Sequence, residues 1–205
     1  MIKKRYADFI SPLERKIKES VGKRFGKLIE PLLKLLVKLN ISPDIISYSS
    51  AFFGLTSTVF LWVNLVTSGF LLIISTILDT IDGALARYIN HTTTFKGAIT
   101  DCFTDQITVS AMTLGLILKK IINPLFGSIC LLLYPILIIF SIIKNFLKIP
   151  SSYILRPRLL IYALFLLYAF TSINLLNYVL GPIALILGYQ IIRDFYQLRS
   201  YLDYT

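Results

Sequence analysis

Between Ile45 and Arg193 the chain carries only four acidic residues, Asp79, Asp82, Asp101 and Asp105, and all four sit close together among Leu, Ile, Phe and Val. The density of apolar residues around them is that of membrane-spanning sequence. An aspartate at bilayer depth costs several kcal/mol unless it is paired, solvated or bound to a cation. Four neighbouring carboxylates also repel one another. A divalent cation answers both problems, and hard oxygen donors suit Mg²⁺, Mn²⁺ or Ca²⁺. The pattern therefore predicts a metal site inside a helical membrane protein, of a kind suited to chemistry on phosphates.

Of the 205 residues 56% are hydrophobic, which is too apolar for an ordinary soluble domain. The long apolar runs fit one all-α membrane domain rather than two domains. No signal peptide is expected in the highly charged first 40 residues. Cys102 and Cys130 stand in apolar segments without a CxxC or histidine partner, so neither a disulfide framework nor a zinc site is indicated. The single histidine, His91, reads as a loop residue near the surface.

Residues 1–40 hold 11 of the 21 Lys and Arg. Leu13, Ile17, Val21, Phe25, Leu28, Leu32, Leu35 and Leu39 recur at spacings of three and four, so this arm reads as an amphipathic interfacial helix with a kink or break at Pro31. Its basic face would attract anionic headgroups, which accounts for the net charge of +10 without a nucleic-acid partner. The alternative is a soluble arm packed on its own protein. Ser42-Pro43-Asp44 then marks a helix start, with a Ser cap, Pro at the first position and acid in the first turn. Residues 41–205 form the membrane domain. Six transmembrane helices are expected at about 42–63, 67–88, 96–118, 122–146, 156–172 and 175–193.

Charge sets the orientation. One side would hold the basic arm together with Arg87, Lys96, Lys144, Lys148, Arg156, Arg158, Arg193 and Arg199, and the other only Lys119 and Lys120. The positive-inside rule then places both termini in the cytoplasm, and the aspartates near the cytoplasmic face.

Asp79 and Asp82 are three residues apart and share a helix face, and Asp101 and Asp105, four apart, share a face on the next helix. Two antiparallel helices joined by a short loop can bring those faces together around one or two metals. Paired metals can clamp a pyrophosphate. Gly83, Ala86 and Gly97 remove side-chain bulk beside the acids, and Arg87 offers a fixed charge to a phosphate.

These residues form the pattern D-x2-D-G-x2-A-R-x9-G-x3-D-x3-D, from Asp79 to Asp105. It resembles the signature of the CDP-alcohol phosphatidyltransferase family, an integral-membrane family, with every defining position present. The six-span layout and the amphipathic arm extend the resemblance to most of the chain. It implies an enzyme of phospholipid biosynthesis that moves a phosphatidyl-type group from a CDP-linked lipid to an alcohol and releases CMP. By position, Asp79, Asp82 and Asp101 would bind Mg²⁺ or Mn²⁺, as two ions. Asp105 would contact the metals and act as general base. Asp82, Gly83, Ala86 and Gly97 would border the CDP-lipid, with Arg87 on its pyrophosphate. A homodimer is also implied. The sequence departs from a common family habit at Gln106, where many members carry Lys or Arg.

Lys144, Lys148, Arg156 and Arg158 cluster at the expected cytoplasmic mouth and would hold the phosphate of a phosphorylated acceptor. Topology-setting charge explains part of this cluster without function. The run from Glu30 to Pro43 is similar to that of archaeal-type members making inositol-phosphate lipids, which favours an inositol phosphate acceptor over glycerol 3-phosphate, with serine third. A different class, a cation or proton transporter, also uses intramembrane acids, but tends to place them at the midplane on broken helices.

Overall fold

The computed structural model describes residues 29–90, 95–147, 149 and 157–203. The arm before residue 29, His91, Lys148 and Arg156 lie outside them. The described residues form seven helices: α1 (Glu30–Lys38), α2 (Pro43–Phe60), α3 (Leu65–Asn90), α4 (Phe95–Leu118), α5 (Pro124–Phe146), α6 (Pro157–Thr171) and α7 (Leu176–Asp203). There is no strand among them.

Local chemistry explains the helix ends. Ser42 is extended and its hydroxyl accepts from the Ile45 N–H, with Pro43 in the first turn. Pro31 also stands in a first turn, that of α1, where its missing N–H costs no helical bond; this agrees with a break at that point. Asn64, Asn123 and Asn174 precede α3, α5 and α7, and each side-chain oxygen accepts from an early backbone N–H of its helix. Asn40, Lys120 and Ser172 follow α1, α4 and α6 with positive φ, closing those helices without glycine. The loops at one end of the bundle are tied together. Asn174 donates to the Ile121 carbonyl at 2.7 Å, the Asn123 N–H donates to Asn177, and the Lys119 ammonium donates to the Leu61 carbonyl.

Helices α2 to α7 follow the six expected segments closely except at the last, where α7 runs on to Asp203. Among the described residues three helices are long and apolar enough to cross a membrane, over Leu65–Ile89, Pro124–Lys144 and Leu176–Tyr201, and α6 is a shorter apolar helix.

Large apolar side chains cover the outside of the bundle, and small hydroxyls share its interior with an apolar core. Phe52, Val59, Phe70, Leu132 and Leu185 face outward, while Ser47, Ser50, Ser57, Ser68, Ser75, Thr104 and Thr108 are buried. Apolar flanks suit lipid, and small hydroxyls let helix backbones approach and bond across the seam. Helices α2 and α3 pack antiparallel through two reciprocal clasps. Ser50 and Ser75 each donate to the other's backbone carbonyl at 2.8 Å, and Ser57 and Ser68 do the same. Gly54 lies between them, and a side chain there would overlap the Thr108 methyl of α4. A main core, with Leu72, Met112, Leu137, Phe165 and Leu187, joins α3 to α7. A smaller one, formed by Leu33, Ile46, Ala84 and Leu85, docks α1 on the start of α2 and the acid-bearing end of α3.

Candidate active site

Three helices converge on the acidic residues. The later turns of α3 carry Asp79 and Asp82, the early turns of α4 carry Asp101 and Asp105, and α6 enters with Arg158 in its first turn. Asp79, Asp101 and Asp105 each present a carboxylate oxygen within 4.8 Å of the others. Asp82 turns toward α2: its Oδ2 accepts from the Ser47 hydroxyl at 2.5 Å, and the carboxylate is buried.

The positive charge at this cluster comes from Arg158. Its guanidinium grips Asp79 through two nitrogens, at 2.8 and 3.4 Å, and also pairs with Asp105. A forked cation shared between two carboxylates is well matched in geometry and offsets their mutual repulsion. Sequence reasoning set Arg158 at the pocket mouth for a phosphate; the structure sets it among the acids. Asp79, Asp105, Arg158 and Tyr162 line one pocket with the hydroxyl residues Ser50, Ser75, Thr76, Thr104 and Thr108.

The remaining sequence candidates fall in three places. Gly83 and Arg87 are neighbours on α3, and a Cβ at Gly83 would stand 3.5 Å from the guanidinium. Ala86 follows on α3 and Gly97 lies in the first turn of α4; neither, with Asp82, Gly83 or Arg87, lines the pocket of Asp79 and Asp105. Lys144 is elsewhere. It is fully buried between α5 and α7, donating to Asp194 at 3.1 Å and to Gln197 at 2.7 Å. Its charge is used in that seam, where Arg193 also pairs with Asp194. Gln106 donates to Ser110, and its carbonyl oxygen is buried without a partner among the described residues.

Sequence reasoning passed over Ser47, Tyr162 and Asp194. For Ser47 a signal existed: Ser47, Ser50, Gly54 and Ser57 recur at three, four and three, a small-residue face for close packing.

The donors suit a divalent cation. All are hard carboxylate oxygens, and oxygens on opposite sides of an octahedral Mg²⁺ would be about 4.2 Å apart. The observed oxygens lie within 4.8 Å of one another, close to that span. Arg158 holds two of these carboxylates, so a metal ion would have to displace its guanidinium to bind them.

Known proteins bear on this arrangement. An uncharacterized protein of Aquifex aeolicus (strain VF5) is 37% identical over 83 residues, which is 40% of this chain and 42% of that protein. The match thus spans less than half of that relative. The fold is similar to phosphatidylinositol phosphate synthase of Mycobacterium tuberculosis, solved in complex with manganese and citrate. The TM-score is 0.67 at 16% identity, covering 81% of this chain and 86% of that one. The sequence profile of CDP-alcohol phosphatidyltransferases matches residues 40–190, which takes in α2 to α6 and every acid of the cluster. The chain belongs to the CDP-alcohol phosphatidyltransferase family, a family of transferases.

Proposed function

We propose that this protein transfers a phosphatidyl-type group from a CDP-linked lipid to a phosphorylated alcohol, with release of CMP and dependence on Mg²⁺ or Mn²⁺. The meeting of Asp79, Asp101 and Asp105 within 4.8 Å, on the segment that the family profile covers, carries this reading. Two ions bound there would clamp the pyrophosphate and polarise its phosphorus. Asp79, Asp82, Asp101 and Asp105 are the residues to hold them.

The chain's own groups do the rest. Asp105 takes the proton of the acceptor hydroxyl at a carboxylate oxygen. The acceptor oxygen then bonds to the lipid's phosphorus as the bond from that phosphorus to CMP breaks, and the electron pair leaves with CMP. Asp105 must first be released by Arg158, and the freed guanidinium can turn to the acceptor's phosphate. Lys148 and Arg156 join it there. Lys144, committed to Asp194 and Gln197, is assigned to the helix seam instead. Gly83, Ala86 and Gly97 leave room for the nucleotide, and Arg87 beside Gly83 pairs with the pyrophosphate.

Inositol phosphate is the proposed acceptor, and the kinship in fold to an inositol phosphate lipid synthase supports it. Glycerol 3-phosphate is the alternative. Helices α2 to α7 would each cross the bilayer, with α1 in the interface and the site on the cytoplasmic side. The exposed Leu35 of α1 and Leu39 at its end, and the basic residues concentrated toward the acidic end, support this topology. A homodimer belongs to the same proposal. Family membership does not favour a transporter.

The test is CMP release by the purified protein from a CDP-linked lipid, with Mg²⁺ or Mn²⁺ and with inositol phosphate, glycerol 3-phosphate or serine supplied separately. Metal-dependent release with inositol phosphate is expected. No release with any acceptor sinks the transferase reading, and release with glycerol 3-phosphate alone moves the acceptor.

A further inference from the structure

The hydroxyl of Tyr162 is buried on the wall of the carboxylate pocket and has no hydrogen-bond partner among the described residues. The ring packs in the main core, and phenylalanine would fill that space equally well. An unbonded buried hydroxyl lowers stability, so a fold that keeps one calls for a partner from outside the chain. The neighbouring hydroxyls do not supply it. Thr76, Thr104 and Thr108 donate to backbone carbonyls one turn back on their own helices, and Ser50 and Ser75 donate to each other's backbones. Those groups offer the pocket lone pairs. Tyr162 offers an uncommitted proton.

The position is specific. Tyr162 follows Arg158 by four residues, on the same face of α6. Arg158 reaches Asp79 and Asp105 from that face. As the structure stands Arg158 closes this pocket over the buried hydroxyl; a molecule that draws the guanidinium off Asp79 and Asp105 opens the space one turn from Tyr162 and brings its own oxygens within reach of it. We propose that the Tyr162 hydroxyl is a specificity-determining contact for the acceptor, donating to an oxygen of a polyol phosphate that does not react. An inositol ring presents hydroxyls around its whole rim, whereas glycerol phosphate has few to spare, so the contact favours the ring. The inference rests on the transferase reading above.

The experiment compares wild type with Tyr162→Phe, which removes one oxygen and leaves the ring. Binding of myo-inositol 1-phosphate and of glycerol 3-phosphate is measured by calorimetry on the full-length protein with Mn²⁺. KM values for acceptor and CDP-lipid are measured alongside, with the melting temperature. The expected result is about five- to tenfold weaker binding and higher KM for inositol phosphate. Glycerol phosphate should change less, the CDP-lipid KM should hold, and the melting temperature should stay or rise. Equal inositol phosphate affinity in the two proteins, or none in either, overturns the proposal. A lower melting temperature with donor and acceptor weakened alike also overturns it, because that marks a structural hydroxyl. Failure of the transferase reading is separate: wild type would then release no CMP, whatever Tyr162→Phe does to binding.

Discussion

The Ser47 hydroxyl on α2 lies 2.5 Å from Asp82 Oδ2 on α3, and both side chains are buried. The same hydroxyl is 3.2 Å from the Pro43 carbonyl, so the shorter contact to the carboxylate is the one that takes its proton. Asp82 is thereby anchored to a helix that contributes no acid to the cluster. Ser47→Ala should lower stability by about 1–3 kcal/mol, because one carboxylate oxygen is left buried without its donor. It should also weaken Mn²⁺ binding, while Ser47→Thr retains both properties. Thermal unfolding in detergent and a Mn²⁺ titration check this. An alanine variant that matches wild type in both would show that the bond orients nothing.

Asp82→Asn separates folding from metal binding at the same contact. The amide oxygen can still accept from Ser47, so the helices should pack and the protein should insert. With the charge gone, turnover should be abolished and Mn²⁺ should bind more weakly. Normal activity at saturating Mg²⁺ or Mn²⁺ would count decisively against Asp82 as a ligand.

Asp105→Asn should lower the rate far more than it lowers affinity for the CDP-lipid. A general base acts in the transition state and adds little to ground-state binding, and its loss typically costs about 10²–10⁴-fold. Binding of the nucleotide lipid and turnover are to be measured separately. Parallel losses in both would make Asp105 chiefly a metal ligand.

Arg158 competes with any metal for Asp79 and Asp105. Arg158→Gln should therefore tighten Mn²⁺ binding, by roughly fivefold for a partly exposed pair worth about 1 kcal/mol. The same change should raise the KM for a phosphorylated acceptor. Calorimetric titration with Mn²⁺ reads the first effect independently of turnover. Weaker Mn²⁺ binding would mean that Arg158 organises the acids for the metal instead of excluding it.

Much of this architecture could be read from local sequence. Ser42-Pro43-Asp44 announced the start of α2 because capping is a matter of three adjacent residues. Helical spacing put Asp101 and Asp105 on one face before any tertiary contact was known. What local reasoning could not reach were side chains whose meaning depends on a partner far along the chain. Arg158 reads as an acceptor-phosphate or flanking charge at the pocket mouth until α6 is packed beside α3, 79 residues away from Asp79. Ser47 reads as an indifferent polar residue until Asp82 faces it. Asp194 escapes a reading by hydropathy because the apolar run ends at Arg193, just before it. The helix continues to Asp203, and Asp194 is buried where the hydropathy pattern suggests exposure.

That buried aspartate gives the last prediction. Lys144 and Asp194 form an ion pair with almost no solvent exposure on either side, and Gln197 accepts a second bond from the same ammonium. Removing one member of such a pair leaves an uncompensated buried charge and costs about 3–5 kcal/mol, whereas replacing both can be nearly neutral. Here Arg193 also contacts Asp194 and softens the loss. Asp194→Asn, which strands the Lys144 ammonium with only the neutral Gln197, should therefore destabilise strongly, Lys144→Met less so, and the double variant should recover part of the loss, a coupling read from a double-mutant cycle of unfolding free energies. Among properly folded protein, the acceptor KM should not move. A Lys144→Gln variant with wild-type stability and a raised acceptor KM would overturn this, because it would mean that the ammonium leaves Asp194 to hold the acceptor's phosphate.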